Sequence, residues 1–381
     1  MKVALELQPC VKERSGIGVY TYELAKQLQI NKEIELIGNL FQVGGLREVQ
    51  NELKELQFKQ AVCPLMPYGI YKRIWNYMPI NYHKLFNQKP DLTHFFNVII
   101  PPHIEGKVIN TIHDLTFYLY PETVEEKHLK FLQSNIQRSA QRPDKIITIS
   151  QSSKCGLIER LKMDPDKIEI VYPGVDPLFY QESLDITRAE SIRKKYQLPS
   201  QYILYMGTLE PRKNIERIIE SFVSFRVNSQ VLGKEFKLVL AGKKGWLYHS
   251  IFEKVKAYGL EQEVIFTDYV EEKDKPILYR LASLFMFPSL YEGFGIPVLE
   301  AMASGVPVIT SNSSSLPEVT GEAAVLVDPY DVEGMAVAME KVLSEETLRQ
   351  ALISEGYKQI QRFNWEDSAN QLYQIYKEVL Q

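Results

Sequence analysis

Cysteine, net charge and long apolar runs are all scarce in this 381-residue sequence. The three cysteines lie far apart and form no C-x-x-C pair, which argues against a disulfide framework or a zinc knuckle and favours a reducing compartment. No apolar run approaches the roughly 18 residues of a membrane-spanning helix, and charged residues near the amino terminus leave no room for the apolar core of a signal peptide. With 44 Lys and Arg against 48 Asp and Glu, the net charge of -4 offers no basis for binding nucleic acid. We therefore predict a cytoplasmic protein, free in solution or held at the inner face of the membrane.

The sequence does have the composition of a globular protein and the length of two domains. Hydrophobic residues make up 45% and charged residues 24%, and at roughly 150 residues per domain the length indicates two. Short β-branched runs alternate with segments of helical period, a pattern typical of parallel sheets covered on both faces. The predicted strands are 2–7, 33–38, 92–96, 108–113, 145–150, 169–172, 202–206, 236–241, 264–267, 284–287, 306–310 and 324–327. The predicted fold class is α/β, with two Rossmann-like doubly wound domains facing a cleft.

The boundary between the domains is predicted where the chain reads Tyr-Pro-Gly-Val-Asp-Pro, at residues 172–177. Two prolines and a glycine in this segment stop both helix and strand, although an ordinary surface turn has the same composition. The predicted domains are 1–174 and 175–362. Residues 363–381 carry an amphipathic stripe typical of a helix, and we expect this helix to cross back onto the first domain.

Two loops at predicted strand ends are candidates for binding phosphate. In the first domain Gly16 and Gly18 open a helix, where backbone N–H groups can face an anion, although a tight strand-to-helix turn uses glycines in the same way. Thr21 replaces the third glycine of the dinucleotide fingerprint, which disfavours an NAD or FAD oxidoreductase. In the second domain Arg212 and Lys213 follow a strand and precede a helix. Cations at a helix start oppose its dipole, so this pair suits a diphosphate better than a solvated surface.

The segment from Glu292 to Glu300 carries two carboxylates separated by seven residues, with Gly293, Phe294 and Gly295 between them. It follows a predicted strand and runs into a helix. Carboxylates accept hydrogen bonds from vicinal hydroxyls such as those of a ribose, and backbone N–H groups of the glycine segment can face a sugar. A carboxylate near a helix start is also common because the dipole favours it.

In combination, these motifs resemble the signature of the retaining GT-B glycosyltransferases, the group-1 (glycosyltransferase family 4-like) sugar transferases. The resemblance covers essentially the whole chain and is most specific in the second domain. It implies that the first domain, 1–174, binds the acceptor and that the second, 175–362, binds the nucleotide-sugar donor. It implies that Arg212 and Lys213 neutralise the donor diphosphate and that Glu300 holds the ribose. It also implies that Glu292, with the 293–295 amides, holds the donor sugar. A histidine after a first-domain strand approaches the transferred sugar in this family, and His113 stands at the matching place.

The resemblance also implies the remaining binding groups and the mechanism. Backbone groups around Val270 are expected to receive the nucleobase. Retention implies attack from the face that the diphosphate leaves, with no enzyme nucleophile and no metal or other cofactor, because side-chain cations replace the metal. The D-x-D pattern of Asp164 and Asp166 is interpreted as a turn, and His94 as a core residue.

The predicted reaction moves a hexose to a glycan or lipid-linked saccharide in polysaccharide biosynthesis. UDP-glucose is the favoured donor and GDP-mannose the alternative. The segment from Tyr68 to Phe86 mixes aromatic and basic residues, which suits a peripheral membrane contact, an acceptor-binding face or an ordinary packed excursion. A nucleotide-sugar epimerase, a glycan phosphorylase and a catalytically silent sugar-nucleotide sensor are the alternatives from other classes.

Overall fold

A computed structural model describes residues 1–11, 16–41, 53–77, 80–176 and 185–381. The chain divides into two compact units, of which the first comprises Met1–Gly174 with Trp365–Gln381 and the second comprises Val175–Asn364. Of the predicted boundary segment, Pro177 lies outside the described residues. Each unit has a parallel sheet covered by helices, so the predicted α/β class with two doubly wound sheets is confirmed.

The first unit contains, within the described residues, a seven-stranded parallel sheet in the order β3-β2-β1-β4-β5-β6-β7. Its strands are β1 (Lys2–Glu6), β2 (Glu35–Phe41), β3 (Lys59–Cys63), β4 (Leu92–Phe95), β5 (Lys107–Thr111), β6 (Lys145–Thr148) and β7 (Ile168–Ile170). Val3, Ala4 and Leu5 in the central strand are fully buried, as expected where both faces of a sheet are covered. The sequence pattern did not predict β3, because this edge strand is short and begins with two polar residues.

The helices of the first unit cover both faces of this sheet. They are α1 (Gly16–Leu28), α2 (Tyr68–Ile74), α3 (Thr116–Leu119), α4 (Glu126–Gln141), α5 (Gln151–Leu161) and the C-terminal helix (Trp365–Leu380). Trp365 of the C-terminal helix packs edge-on against Tyr20 of α1, with ring centroids 5.9 Å apart. The Tyr376 hydroxyl lies 2.6 Å from Nδ1 of the buried His94. The predicted return of this helix to the first domain is therefore confirmed.

The aromatic segment from Tyr68 to Phe86 packs mainly into the core of the first unit. Tyr71, Trp75, Tyr82 and Phe86 are buried, and Tyr71 stacks on Phe41 with centroids 4.7 Å apart. Of the three interpretations of this segment, an ordinary packed excursion is therefore the one that fits these four aromatics, because they cover one apolar face of the sheet.

Other residues of this segment lie at the surface or are not among the described residues. Tyr77 is 85% exposed, and Met78 and Pro79 lie outside the described residues. No helix among the described residues is both long and apolar enough to cross a membrane.

The second unit contains, within the described residues, a six-stranded parallel sheet in the order β10-β9-β8-β11-β12-β13. Its strands are β8 (Tyr202–Met206), β9 (Lys237–Ala241), β10 (Val264–Asp268), β11 (Leu284–Phe287), β12 (Val308–Ser311) and β13 (Ala324–Val327). Its helices are α6 (Ile186–Lys195), α7 (Ile215–Asn228), α8 (Leu232–Glu235), α9 (His249–Ala257), α10 (Lys275–Arg280), α11 (Ile296–Ala303), α12 (Leu316–Thr320), α13 (Val332–Ser344) and α14 (Glu346–Gln359). The bounds of β8, β11 and β13 match the prediction, since each is a short apolar run with clear turn residues at its ends.

Both sheets reverse their strand order at one point. In the first unit the reversal lies between β1 and β4, and in the second it lies between β8 and β11. Connections diverge above and below the sheet at such a point, which leaves a crevice outside the carboxyl ends of the two strands. Each unit therefore has one place where a ligand is expected.

Candidate active site

The loop after β8 places two cations at the reversal point of the second sheet. Arg212 and Lys213 lie in a short 3-10 turn between β8 and α7. Asn214 follows in the left-handed conformation, with φ of 62°, which asparagine tolerates better than most residues. Its Nδ2 donates to the backbone oxygens of Pro288, at 3.0 Å, and Pro329, at 2.6 Å. The turn is thereby fixed to the loop that follows β11.

Glu292, in the loop after β11, joins both cations. Its Oε1 lies 2.6 Å from Lys213 Nζ, and its Oε2 lies 2.9 Å from Arg212 Nη1. Arg212 Nη2 also contacts Glu210 at 2.8 Å. Two cations and two carboxylates thus balance at this point, and we call Arg212, Lys213, Glu292 and Glu210 the charge cluster.

The charge cluster is largely shielded from water. The Lys213 side chain is 12% exposed, and its Nζ lies 5.1 Å from the centre of the Phe287 ring. Burial by itself would raise the pKa of Glu292, but the charges of Arg212 and Lys213 outweigh burial and lower it to about 2. Glu292 is therefore ionised at neutral pH, and its attraction to the cations is strengthened by the low local polarity.

A serine run after β12 holds the Glu292 loop in place. Ser314 Oγ accepts from the Glu292 backbone N–H at 3.0 Å, and Ser315 Oγ donates to the Glu292 carbonyl at 2.9 Å. Ser311 Oγ donates to the Ser289 carbonyl at 2.7 Å. These serines were not predicted from the sequence. The available signal was a cluster of serines at the end of the strand that neighbours β11.

The glycine segment after Glu292 turns the chain into α11. Gly295 adopts a φ of 116°, a region that favours glycine, and Pro297 stands in the first turn of the helix. The Phe294 side chain is buried and packs edge-on against Phe363, with centroids 5.4 Å apart. Gly293, Phe294 and Gly295 are predicted donor-binding residues. Because the Phe294 side chain is buried and the glycines have no side chain, all three would contact a donor through the backbone.

Glu300 lies in α11 and is held by a neighbouring helix. Its Oε2 accepts a hydrogen bond of 2.7 Å from the hydroxyl of Tyr279 in α10, and both residues are buried. Tyr279 was not predicted from the sequence, because nothing in the local pattern of α10 distinguishes it from a core aromatic. Val270 follows β10 at the same edge of the sheet, and its buried side chain leaves the backbone for the predicted contact with the nucleobase.

His113 follows β5 in the first unit and is buried. Its ring meets Tyr20 edge-on, with centroids 5.1 Å apart, and its Nε2 has no hydrogen-bond partner among the described residues. Burial lowers the pKa of His113 to about 4, against opposing effects of Asp114 and the Phe96 backbone. The ring is therefore neutral at pH 7. His94, by contrast, makes two side-chain hydrogen bonds in the core, as predicted.

The glycine loop of the first unit is described only in part. Gly16 begins α1 and is exposed, and no atom lies within 4 Å of the position that a Cβ would take there. Gly18 is buried, and its carbonyl accepts from Cys10 Sγ at 3.7 Å. Arg14 and Ser15 lie outside the described residues. The backbone at Gly16 can therefore be approached closely, whereas Gly18 serves the packing of α1.

The D-x-D pattern is a turn, as predicted. Asp164 Oδ1 accepts from the backbone N–H of Asp166 at 3.0 Å and caps a short 3-10 helix. Across the described ranges, no three His, Cys, Asp or Glu side chains are grouped as metal ligands.

Comparison with known proteins gives a family for each half of the chain. Residues 188–359 match the family model described as glycosyl transferases group 1, and residues 14–178 match the model of glycosyltransferase family 4. A relative named O-antigen chain mannosyltransferase B from Escherichia coli is 28% identical over 99% of this chain and 100% of its own length.

A longer relative and a solved structure are also similar to this chain. The serotype-specific mannosyltransferase WbdA of Escherichia coli is 32% identical over 75% of this chain, which spans 35% of that protein. Among solved structures, sucrose-phosphate synthase from Thermosynechococcus elongatus superimposes with a TM-score of 0.74 and 20% sequence identity. The match covers 100% of this chain and 99% of the solved chain. The structural match and the two parallel sheets confirm the predicted GT-B fold.

Proposed function

Because the chain belongs to the group 1 glycosyl transferases, we propose that it transfers mannose from GDP-mannose to a saccharide acceptor during polysaccharide biosynthesis. The observation that carries the proposal is the charge cluster, which brings two cations to the reversal point of the second sheet. The choice of mannose rests on relatives named mannosyltransferases, one of which matches this chain along its whole length.

The charge cluster suits a diphosphate that exchanges with a carboxylate. Arg212 and Lys213 are neutralised by Glu292 at 2.9 Å and 2.6 Å, so an entering diphosphate can take over these contacts without leaving the two cations unpaired. Arg offers a planar fork to phosphate oxygens, while Lys offers a compact charge. Glu292 is then released to accept hydrogen bonds from the hydroxyls of the donor sugar.

Glu300 is the proposed ribose-binding group. The Tyr279 hydroxyl occupies one of its oxygens at 2.7 Å and fixes the orientation of the carboxylate, which leaves the second oxygen for ribose hydroxyls. Orienting a binding group before the ligand arrives reduces the entropy lost on binding. Tyr279 is therefore a positioning residue in this proposal.

The proposed reaction breaks the bond between the sugar and the diphosphate. Negative charge develops on the departing diphosphate, and Arg212 and Lys213 are placed to stabilise it in a largely water-free environment. The acceptor hydroxyl attacks from the same face, so the anomeric configuration is retained, and a diphosphate oxygen takes its proton. In this scheme the side-chain cations do the work of a metal. The contact of His113 with the transferred sugar remains a prediction from the family resemblance.

The acceptor is proposed to be a glycan or a lipid-linked saccharide. Ile70 and Tyr77 of the first unit are exposed, next to the basic Arg73, and they are the part of the aromatic segment that could touch a membrane surface. Peripheral membrane contact therefore stays part of the proposal only for these residues.

A thermal-shift panel tests the donor. A ligand that binds only the folded protein raises the unfolding temperature with its concentration, so GDP-mannose and GDP should raise it more than UDP-glucose and UDP at equal concentration. A larger shift with UDP-glucose would reverse the choice of donor, and no shift with any nucleotide sugar would contradict the function. Product formation is then followed by mass spectrometry. Lys341→Ala, at an exposed lysine of α13, serves as the control for Lys213→Ala.

A further inference from the structure

The reversal point of the first sheet also carries polar side chains. Glu6 ends β1 and Asn97 follows β4, so both lie at the carboxyl edge between the two strands where the order reverses. This is the position that the charge cluster holds in the second unit. Ligands of open α/β sheets bind in the crevice outside these strand ends.

Glu6 is a buried carboxylate with no salt bridge. It is 2% exposed, and neither of its oxygens makes a hydrogen bond of normal geometry to any described residue. Asn97 and the Gln8 backbone lie close enough to oppose its desolvation, but burial dominates and raises the pKa of Glu6 to about 8. Burying such a group without partners is costly, so a carboxylate kept in this state has unfilled hydrogen-bonding capacity.

Two further polar atoms beside Glu6 also lack a hydrogen bond of normal geometry to any described residue. Asn39 in β2 pairs in register with Glu6, and neighbours in register on parallel strands share a face of the sheet. Its Oδ1 accepts from Gln88 Nε2 at 2.8 Å, while its Nδ2 and the hydroxyl of the buried Tyr82 make no hydrogen bond of normal geometry to any described residue. The Asn39 side chain lies close enough to the Tyr82 hydroxyl to oppose the effect of burial on its pKa, so these two groups and Glu6 have hydrogen-bonding capacity that is only weakly filled.

Lys72 and Asn97 mark the side from which a ligand can arrive, because both are only partly buried. Lys72 Nζ lies over the rings of Phe131, at 5.0 Å, and Tyr68, at 5.6 Å, and its charge attracts the Glu6 carboxylate. An aromatic wall beside a carboxylate and an amide is suited to a sugar, which offers both C–H faces and hydroxyls.

We propose that Glu6, Asn97 and Lys72 form the mouth of a saccharide-binding site that receives hydroxyl groups of the acceptor sugar. Asn39 and Tyr82 form its floor. The Glu6 carboxyl donates one hydrogen bond while it is protonated and accepts from vicinal hydroxyls once it is ionised, and the amide and phenol donate to sugar oxygens. The identification of the occupant as an acceptor rests on the proposed function, whereas the saccharide chemistry rests on the unsatisfied groups.

Saturation-transfer difference NMR with methyl α-D-mannopyranoside, in the absence of any donor, tests the site. At pH 9, where the Glu6 carboxyl is ionised, the native protein should give a signal at millimolar ligand, and Glu6→Gln should weaken binding at least about tenfold, as expected for the loss of hydrogen bonds to a charged group. The matched control is Glu35→Gln, at an exposed carboxylate in the opposite, amino-terminal edge of the same sheet, which should bind like the native protein. Asn97→Ala, at a partly exposed position, provides a second variant that should also weaken binding.

The outcomes separate this site from the donor proposal. No signal with the native protein, or unchanged binding by both Glu6→Gln and Asn97→Ala, would overturn the site. A purely structural Glu6 would lower the unfolding temperature of Glu6→Gln at pH 7, whereas a binding residue kept at a cost to stability would not. If nucleotide sugars stabilise the native protein while the glycoside test fails, only the acceptor site is wrong. If glycoside binding depends on Glu6 but no nucleotide sugar binds, the transferase proposal fails instead.

Discussion

Replacing Glu6 by Gln should stabilise the protein by about 3 kcal/mol at pH 7 and have little effect near pH 4.5. Burial raises the pKa of this carboxyl from 4.5 to about 8, so the folded protein keeps the proton over a pH range in which the unfolded chain loses it. At roughly 1.4 kcal/mol per pH unit, the interval of about 2.5 units up to pH 7 gives the stated difference.

The sign of this pH dependence follows from proton binding. Between pH 4.5 and 8 the folded state binds more protons than the unfolded state, so native stability falls as the pH rises, and Glu6→Gln removes that fall. Among the facing groups, Lys72 favours the ionised form but does not overcome burial, and the hydroxyls of Tyr68 and Tyr82 remain protonated in this range because their pKa values are raised.

Thermal unfolding at pH 5 and pH 7 measures the effect. For a unit of this size about 3 kcal/mol corresponds to an increase of roughly 10 °C in the unfolding temperature at pH 7, with a much smaller change at pH 5. Glu35→Gln, which removes an exposed charge from the same sheet, should show no comparable difference between the two pH values. A Glu6→Gln effect that is equal at both pH values, or that is destabilising at pH 7, would refute the reasoning.

The charge cluster and its neighbour give three further predictions. Lys213→Ala should lower sugar transfer about 100-fold or more, whereas Lys341→Ala should leave it near normal, and normal turnover in the former would contradict the assignment. Glu292→Gln should destabilise the protein by about 3 kcal/mol at pH 7. The lowered pKa of Glu292 contributes stability that is fully present above pH 4.5 and is lost as the pH falls through about 2. Equal unfolding temperatures of the variant and the native protein at pH 7 would argue against this. Tyr279→Phe should raise the KM for the donor roughly tenfold with a smaller change in kcat, because Glu300 loses an orienting hydrogen bond. Initial rates measured over a range of donor concentrations test this. An unchanged KM would mean that Tyr279 is only a core residue.

Two buried carboxyl groups at equivalent places in the two sheets show how strongly their surroundings set the pKa. Glu292 and Glu6 each lie at the reversal point of a parallel sheet, yet the pKa of Glu292 is lowered to about 2 and that of Glu6 is raised to about 8. Arg212 and Lys213 account for the difference, because only Glu292 has two cations within 3 Å. The sequence motif around Glu292 drew attention to one of these groups, and nothing local distinguished the other.

Most of the strands and helices, and the loops after β8 and β11, followed from the sequence. Short buried strands, their turn residues and the spacing from Glu292 to Glu300 are local features, so β8, β11 and the loops after them could be placed without a structure. Arg212 and Lys213 were placed between a strand and a helix in the same way, and their binding of an anion stays a prediction, based on the unfavourable dipole that two cations meet at a helix start. The edge strand β3 was missed because its pattern is short and partly polar.

Other features depended on residues far apart in the chain. A packed core and a membrane-binding surface are both rich in aromatic side chains, so the sequence pattern alone does not tell them apart. Only the fold showed that Tyr71 and Trp75 cover the first sheet. The serines that hold the Glu292 loop, the hydroxyl of Tyr279 on Glu300 and the unsatisfied carboxylate of Glu6 likewise arise from contacts across elements. Sequence therefore determined which chemical groups stand at the strand ends, because their spacing is local. Tertiary structure decided which of those groups are paired, oriented or left unsatisfied, because burial and partners come from distant parts of the chain.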